Sequence, residues 1–171
     1  MKNLVTIFFI LFFVPKSLQA ENLHFIDFKY ILNESDAGKK AQNFLKSKLE
    51  NGIKELKRKE LKIQEEEKKV IQQKKIISAE EYKKKVTGLR SKVSALQKER
   101  NTLLSDVSKQ RSKAKNELLR NLNPILEKYM KERKIRIVLD KKSILLADEN
   151  LNITKDIMKI LNQKLKSIKI N

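Results

Sequence analysis

The stretch LENGIKELKRKELKIQEEEKKVIQQKKIISAEEYKKKVTGLRSKVSALQKERNTLLSDV, residues 49–107, decides the fold. It lies inside a run from 37 to 133 that holds one proline, Pro124, and two glycines beyond Gly38, namely Gly52 and Gly88. From Leu49 the seam steps by four and three through Ile53, Leu56, Glu60, Ile63, Glu67, Val70, Lys74 and Ile77. That is a heptad spacing, the mark of a helix packed lengthwise on another. The rhythm pauses at Ser78-Ala79-Glu80-Glu81, which fits a capping box: Ser78 accepts from the first turn and Glu81 reaches back. It resumes with Tyr82, Val86, Leu89, Val93, Leu96, Arg100, Leu103, Val107, Gln110 and Ala114. One long antiparallel helical hairpin over 37–133 follows, with its first helix ending about Lys75 and its tip near 77–79.

Antiparallel seams pair residues whose numbers sum to about 156 here. Ile63 then faces Val93, Ile53 faces Leu103, and Leu49 faces Val107. Polar seam residues meet apolar or amphipathic ones: Glu60 with Leu96, Glu67 with Leu89, Lys74 with Tyr82, Arg100 with Leu56. After Ala114 the spacing slips to Leu118, Leu122, Ile125 and Tyr129, a stutter that relaxes the supercoil. Pro124 removes one helical hydrogen bond, and apolar spacing beyond it favours a kink over a stop. At about 1.5 Å per residue, a 40-residue arm extends ~60 Å. Charged residues alternate with apolar ones on the outer seam of the first helix. The distal half therefore buries less and is expected to bend and fray, unless the charged stems lie along the seam.

The first twenty residues read as a secretory signal peptide: Lys2, an apolar run from Leu4 to Val14, and a small-residue exit with cleavage after Ala20. The run is shorter than the roughly 20 residues that span a bilayer. Losing Lys2 and Lys16 lowers the net charge from +19 to +17. The chain has no cysteine, so it is built without disulfides or thiolate sites. Basic charge suggests nucleic acid, but only seven of the forty cations are Arg, and no aromatic ladder lies among them to stack bases. No nucleophile–base set, metal-ligand spacing or glycine-rich loop suggests an enzyme or a cofactor. His24, the single histidine, is read as a strand-surface or interface residue.

Outside the hairpin the elements are short. Residues 22–27 alternate as a strand, Phe28–Leu32 suits one helical turn, and Asn33–Asp36 offers caps. Ile135–Leu139 and Ser143–Ala147 read as a β-hairpin turning at Asp140–Lys142. Thr154 is placed as the cap of a last helix with Ile157, Ile160, Leu161 and Leu165 on one face.

The motif Asn33-Glu34-Ser35-Asp36-Ala37-Gly38-Lys39-Lys40-Ala41, together with Val138-Leu139-Asp140 through Asp148 and Leu151-Asn152-Ile153-Thr154, resembles the Skp (OmpH-like) family of periplasmic chaperones. The order of parts agrees over the whole mature chain. The resemblance implies a mainly α protein: a helical-hairpin arm on a small β-barrel-like body, assembled as a homotrimer whose arms enclose a cavity. It implies ATP-independent holding of unfolded outer-membrane proteins in the periplasm. Residues 21–36 and 134–171 would make the trimerising body.

An oligomer also follows from the residues, because so few strands per chain are marginal alone and leave open edges. Leu23, Phe25, Ile135, Ile137, Leu139 and Leu145 are the candidates for that body. Residues 37–133 hold 28 Lys or Arg against 13 Asp or Glu, a net of +15 that attracts anionic partners. Client contacts are assigned to the outer arm: Lys68, Lys69, Lys74, Lys75, Ile76, Ile77, Tyr82, Lys83, Lys84 and Lys85. The alternatives are an envelope protein whose basic arms bind anionic lipid or lipopolysaccharide, and a structural spacer.

Overall fold

The computed structural model describes residues 23–170; the expected signal peptide and cleavage after Ala20 lie outside them. Strand β1 (Leu23–Ile26) leads into α1 (Phe28–Glu34), then α2 (Asp36–Gln73) and α3 (Ala79–Arg133). Strand β2 (Ile137–Asp140) follows, then two 3₁₀ turns, Lys141–Ser143 and Glu149–Leu151, and helix α4 (Thr154–Lys164). The molecule is mainly helical, with α2 and α3 forming the antiparallel hairpin.

The first three helices begin where a polar side chain takes one of their first N–H groups. Ser35 caps α2 by accepting from the Gly38 N–H at 3.1 Å. Ser78 caps α3 by accepting from Glu81 N–H at 3.2 Å, as its motif requires. Glu81 pairs forward with Lys85 at 3.6 Å. Pro124 lies inside α3, which continues to Arg133. The helix ends at Lys134, whose left-handed backbone (φ 56°) turns the chain toward β2.

The expected β-hairpin is not formed. β2 pairs with β1 instead, in parallel, in the register Leu23↔Ile137, His24↔Val138, Phe25↔Leu139 and Ile26↔Asp140. A parallel pair needs a long crossover, and the whole α1–α2–α3 excursion provides it. Two-residue hairpins favour residues tolerant of positive φ, such as Asn-Gly; Lys141-Lys142 offers none. Asp140 accepts from the Lys142 N–H at 3.3 Å and starts a 3₁₀ turn that leads the chain away. Segment 143–147 carries no strand, and Leu145 is fully exposed at 103%.

The core sits at the foot of the hairpin. Ile26, Ile31, Leu118, Leu122, Ile157 and Leu161 pack there with Ile125, Tyr129, Ile135 and Ile153. The returning end of α3 thus belongs to the body's core. Ile157 and Leu161 are wholly buried and Ile160 and Leu165 pack against them, as the spacing of α4 predicts. Thr154 does not cap α4: its Oγ1 accepts from the Asp27 N–H at 2.8 Å and donates to Asn152 at 2.6 Å. It thereby ties the start of α4 to the end of β1. The Tyr129 hydroxyl donates to Asp156 at 2.6 Å. Burial and that carboxylate together raise the Tyr129 pKa.

Candidate functional site

In α2 and α3 the predicted register is visible in the contacts. Lys74 Nζ lies 5.7 Å above the Tyr82 ring, the pair expected nearest the tip. A Cβ at Gly52 would lie 2.5 Å from a Leu103 methyl carbon, so the leucine fills the space the glycine leaves. Leu56, Val70 and Val107 are buried in the seam.

Two expected seam residues are displaced. Ile53 is 53% exposed and Val93 54%. Leu103 sits over Gly52 and takes the central position, which leaves Ile53 on the flank. Ile71 lies five turns beyond Ile53 and Leu104 three turns beyond Val93, so each pair shares a helix face. Ile71 and Leu104 are exposed as well. Ile71 and Val93 meet across a groove of about 560 Å³ with Ile63, Val70, Tyr82, Val86 and Leu89 between them.

The other flank differs. Lys59 bonds Glu99 at 2.6 Å, Lys92 pairs with Glu66, and Lys85 donates to Gln73 at 2.8 Å. These three bridges link the helices at seven-residue steps: 59, 66, 73 against 99, 92, 85. Polar ties thus cross one side of the arm, whereas the groove on the other is lined mostly by apolar side chains, with Glu67, Arg90 and Ser94 among them.

The residues singled out from sequence divide by position. Lys68, Lys69, Lys75, Lys83 and Lys84 are exposed, and Ile76 at the tip is 83% exposed. Ile77, Tyr82 and Lys85 turn partly inward, and Lys74 lies over Tyr82. Ile71, Val86, Leu89, Val93, Ile53 and Leu104 were not among them. Ile71 and Leu104 stand off the heptad, and an apolar residue at such a position was the available signal.

In the body, Phe25 and Ile135 are buried. Leu23, Ile137 and Leu139, all on alternate strand positions, are partly exposed at 39%, 42% and 37%. Main chain at Asn152 and Ile153 bonds β1 beside Phe25, where the Ile153 N–H donates to the Phe25 carbonyl at 3.0 Å. His24 is partly buried in β1. Among the described residues no acidic or histidine cluster is placed to hold a metal ion. None of their helices is long and apolar enough to cross a membrane.

A basic helical-hairpin arm on a small body of two parallel strands and a packed helix defines a class of arm-bearing proteins. This chain belongs to the OmpH-like family: the profile described as Outer membrane protein (OmpH-like) matches residues 22–161. Its fold is also that of a Caulobacter crescentus CB15 protein described as a candidate outer membrane chaperone (OmpH-like). The two share 19% identity and superpose with a TM-score of 0.81, over 88% of this chain and 89% of that one. No curated protein matches.

Proposed function

We propose that this chain is an ATP-independent holdase chaperone of the periplasm. It binds unfolded outer-membrane proteins between basic helical arms, prevents their aggregation and aids their delivery to outer-membrane assembly. The observation that carries this reading is the arm itself: exposed apolar side chains at Ile53, Ile71, Ile76, Val93 and Leu104 on a hairpin of net charge +15. An unfolded membrane protein offers apolar stretches, and its acidic segments are drawn to lysine-rich helices. Each contact is weak. Several arms acting on one chain supply avidity.

The assembly we propose is a homotrimer. In one chain, Leu23, Ile137 and Leu139 leave an apolar strand face half open, and Leu145 and Leu146 stand out at 103% and 91% exposure. Such a surface favours burial against other copies, and a two-stranded sheet gains by pairing further strands. The cleaved mature chain, from Glu21, is the form that would assemble.

The test is salt. An urea-unfolded β-barrel protein is diluted into the mature protein, and association is followed by stopped-flow fluorescence beside light scattering. Screening shortens from ~30 Å at 0.01 M to about 3 Å at 1 M, so the association rate should fall by about 10-fold or more across that range. Suppression of scattering without any salt response removes the electrostatic half of the proposal. No suppression at any salt removes the function.

A further inference from the structure

Resting on the holdase reading, we propose that the outer arm has one docking side, the flank marked by Ile53, Ile71, Val93 and Leu104. Its occupant is an extended, net-acidic stretch of unfolded polypeptide whose apolar side chains enter the groove between Ile71 and Val93. The opposite flank is closed to that occupant.

Two sides of the same helix pair share one apolar floor. Ile63, Val70 and Leu89 contribute to the groove at Ile71 and Val93 and also to the shallower grooves behind it. Their rims differ. On the closed side the rim is Lys59, Lys62, Glu66, Lys69, Lys92 and Glu99. The bridges Lys59–Glu99, Lys92–Glu66 and Lys85–Gln73 cross it at regular intervals. An apolar group arriving there must displace side chains that already bond one another across the helices, a modest cost for ties half open to water. On the open side Ile71, Val93, Val86 and Tyr82 lead down to the same floor, and exposed apolar surface is already waiting to be covered.

The spacing selects an extended chain. Ile53 and Ile71 are 18 residues apart on α2, which corresponds to ~27 Å of helix. About eight residues of extended polypeptide cover that distance, and their alternate side chains point to one face. A compact ligand fills one patch at most. Charge chooses the sign through the arm as a whole: Glu67 and Arg90 both line the groove and offset each other, while Lys74 lies over Tyr82 and the arm's excess charge is positive.

Because the chain has no cysteine, single cysteines report position without interference. Four variants of the mature protein, Ile71→Cys, Val93→Cys, Lys62→Cys and Lys69→Cys, carry a benzophenone label and meet a urea-unfolded β-barrel protein under illumination. The expected yield of client cross-link is about tenfold higher from positions 71 and 93 than from 62 and 69, following local concentration. Equal yields, or more from 62 and 69, overturn the one-sided assignment and leave the holdase reading standing. So does client held soluble without cross-links at 71 or 93. Arm-to-arm cross-links from 93 that client does not displace assign this side to a second copy, and also overturn it. If client aggregates freely and none of the four cross-links, the holdase reading itself fails.

Discussion

Leu118 and Leu122 are 0% and 1% exposed, whereas Ile53 and Val93, on the same pair of helices, are more than half exposed. All four sit at apolar positions of one long pattern, and the single slip after Ala114 does not by itself explain the contrast. What separates them is the number of layers. At the foot of the hairpin α1, α4 and the strands close over α2 and α3, and Ile31, Ile157 and Leu161 cover the seam. Further out there are two helices only. Two cylinders in contact bury a strip, and everything beside the strip meets solvent. The body is therefore a core and the arm is a surface, built from one repeat.

The largest test of this contrast pairs Leu122→Ala with Val70→Ala. Removing the Leu122 side chain empties a site closed on all sides and should cost about 2–5 kcal/mol. The thermal midpoint of the whole protein should fall. Val70 is the buried residue of the outer seam, yet its truncation should cost only about 1 kcal/mol, since solvent can reach the gap. Hydrogen exchange should quicken along the arm while the body's slow amides hold. A similar loss of global midpoint from both substitutions would mean that arm and body unfold as one unit.

A sharper probe of the foot is Gly38→Ala. An alanine methyl there would lie 2.0 Å from the Leu32 carbonyl oxygen and 2.8 Å from Ser35 Oγ. Neither is the yielding end of a flexible side chain; one is backbone and the other holds the α2 cap. The α1–α2 corner must open, at a cost of about 1–3 kcal/mol, read as a lowered urea midpoint. An unchanged midpoint would show that the corner adds nothing to the core.

The arm was legible in the sequence because heptads are a local code. Leu49 to Ala114 gave the helices, the approximate register and the Ser78 cap, but placed Ile53 and Val93 in a seam that leaves them exposed. The stutter at Leu118, Leu122, Ile125 and Tyr129 likewise named residues that the core buries. The β-hairpin misread the body for a physical reason. Alternation in Ile135–Leu139 says that a strand exists, but its partner is β1, more than a hundred residues earlier in the chain, and no local pattern encodes that pairing. Thr154 misled in the same manner: a threonine before a helix looks like a cap until Asp27, from the other end of the chain, takes its hydroxyl. The docking flank needed both levels. Ile71 was visible as an apolar residue off the seam, whereas Ile53 gives way where Leu103 fills the space over Gly52, and the exposure of Val93 shows only in the folded pair of helices.

The smallest expected effect isolates the arm. Gly88 lies within α3, exposed, and a methyl group added there meets no atom within 4 Å. Gly88→Ala therefore changes helix propensity and little else, a gain of about 0.5–1 kcal/mol. If the arm is a separately yielding surface, that gain stays local: amides around residue 88 should exchange about 3-fold more slowly or better, while the thermal midpoint set by the body is unmoved. The same substitution also probes the use of looseness. A client that must settle into the groove between Ile71 and Val93 gains from helices that can part, and a stiffer α3 should then slow capture without altering charge. A rise in global midpoint matching the local gain would show a cooperative link running from tip to core, and the division into core and surface would fail at its far end.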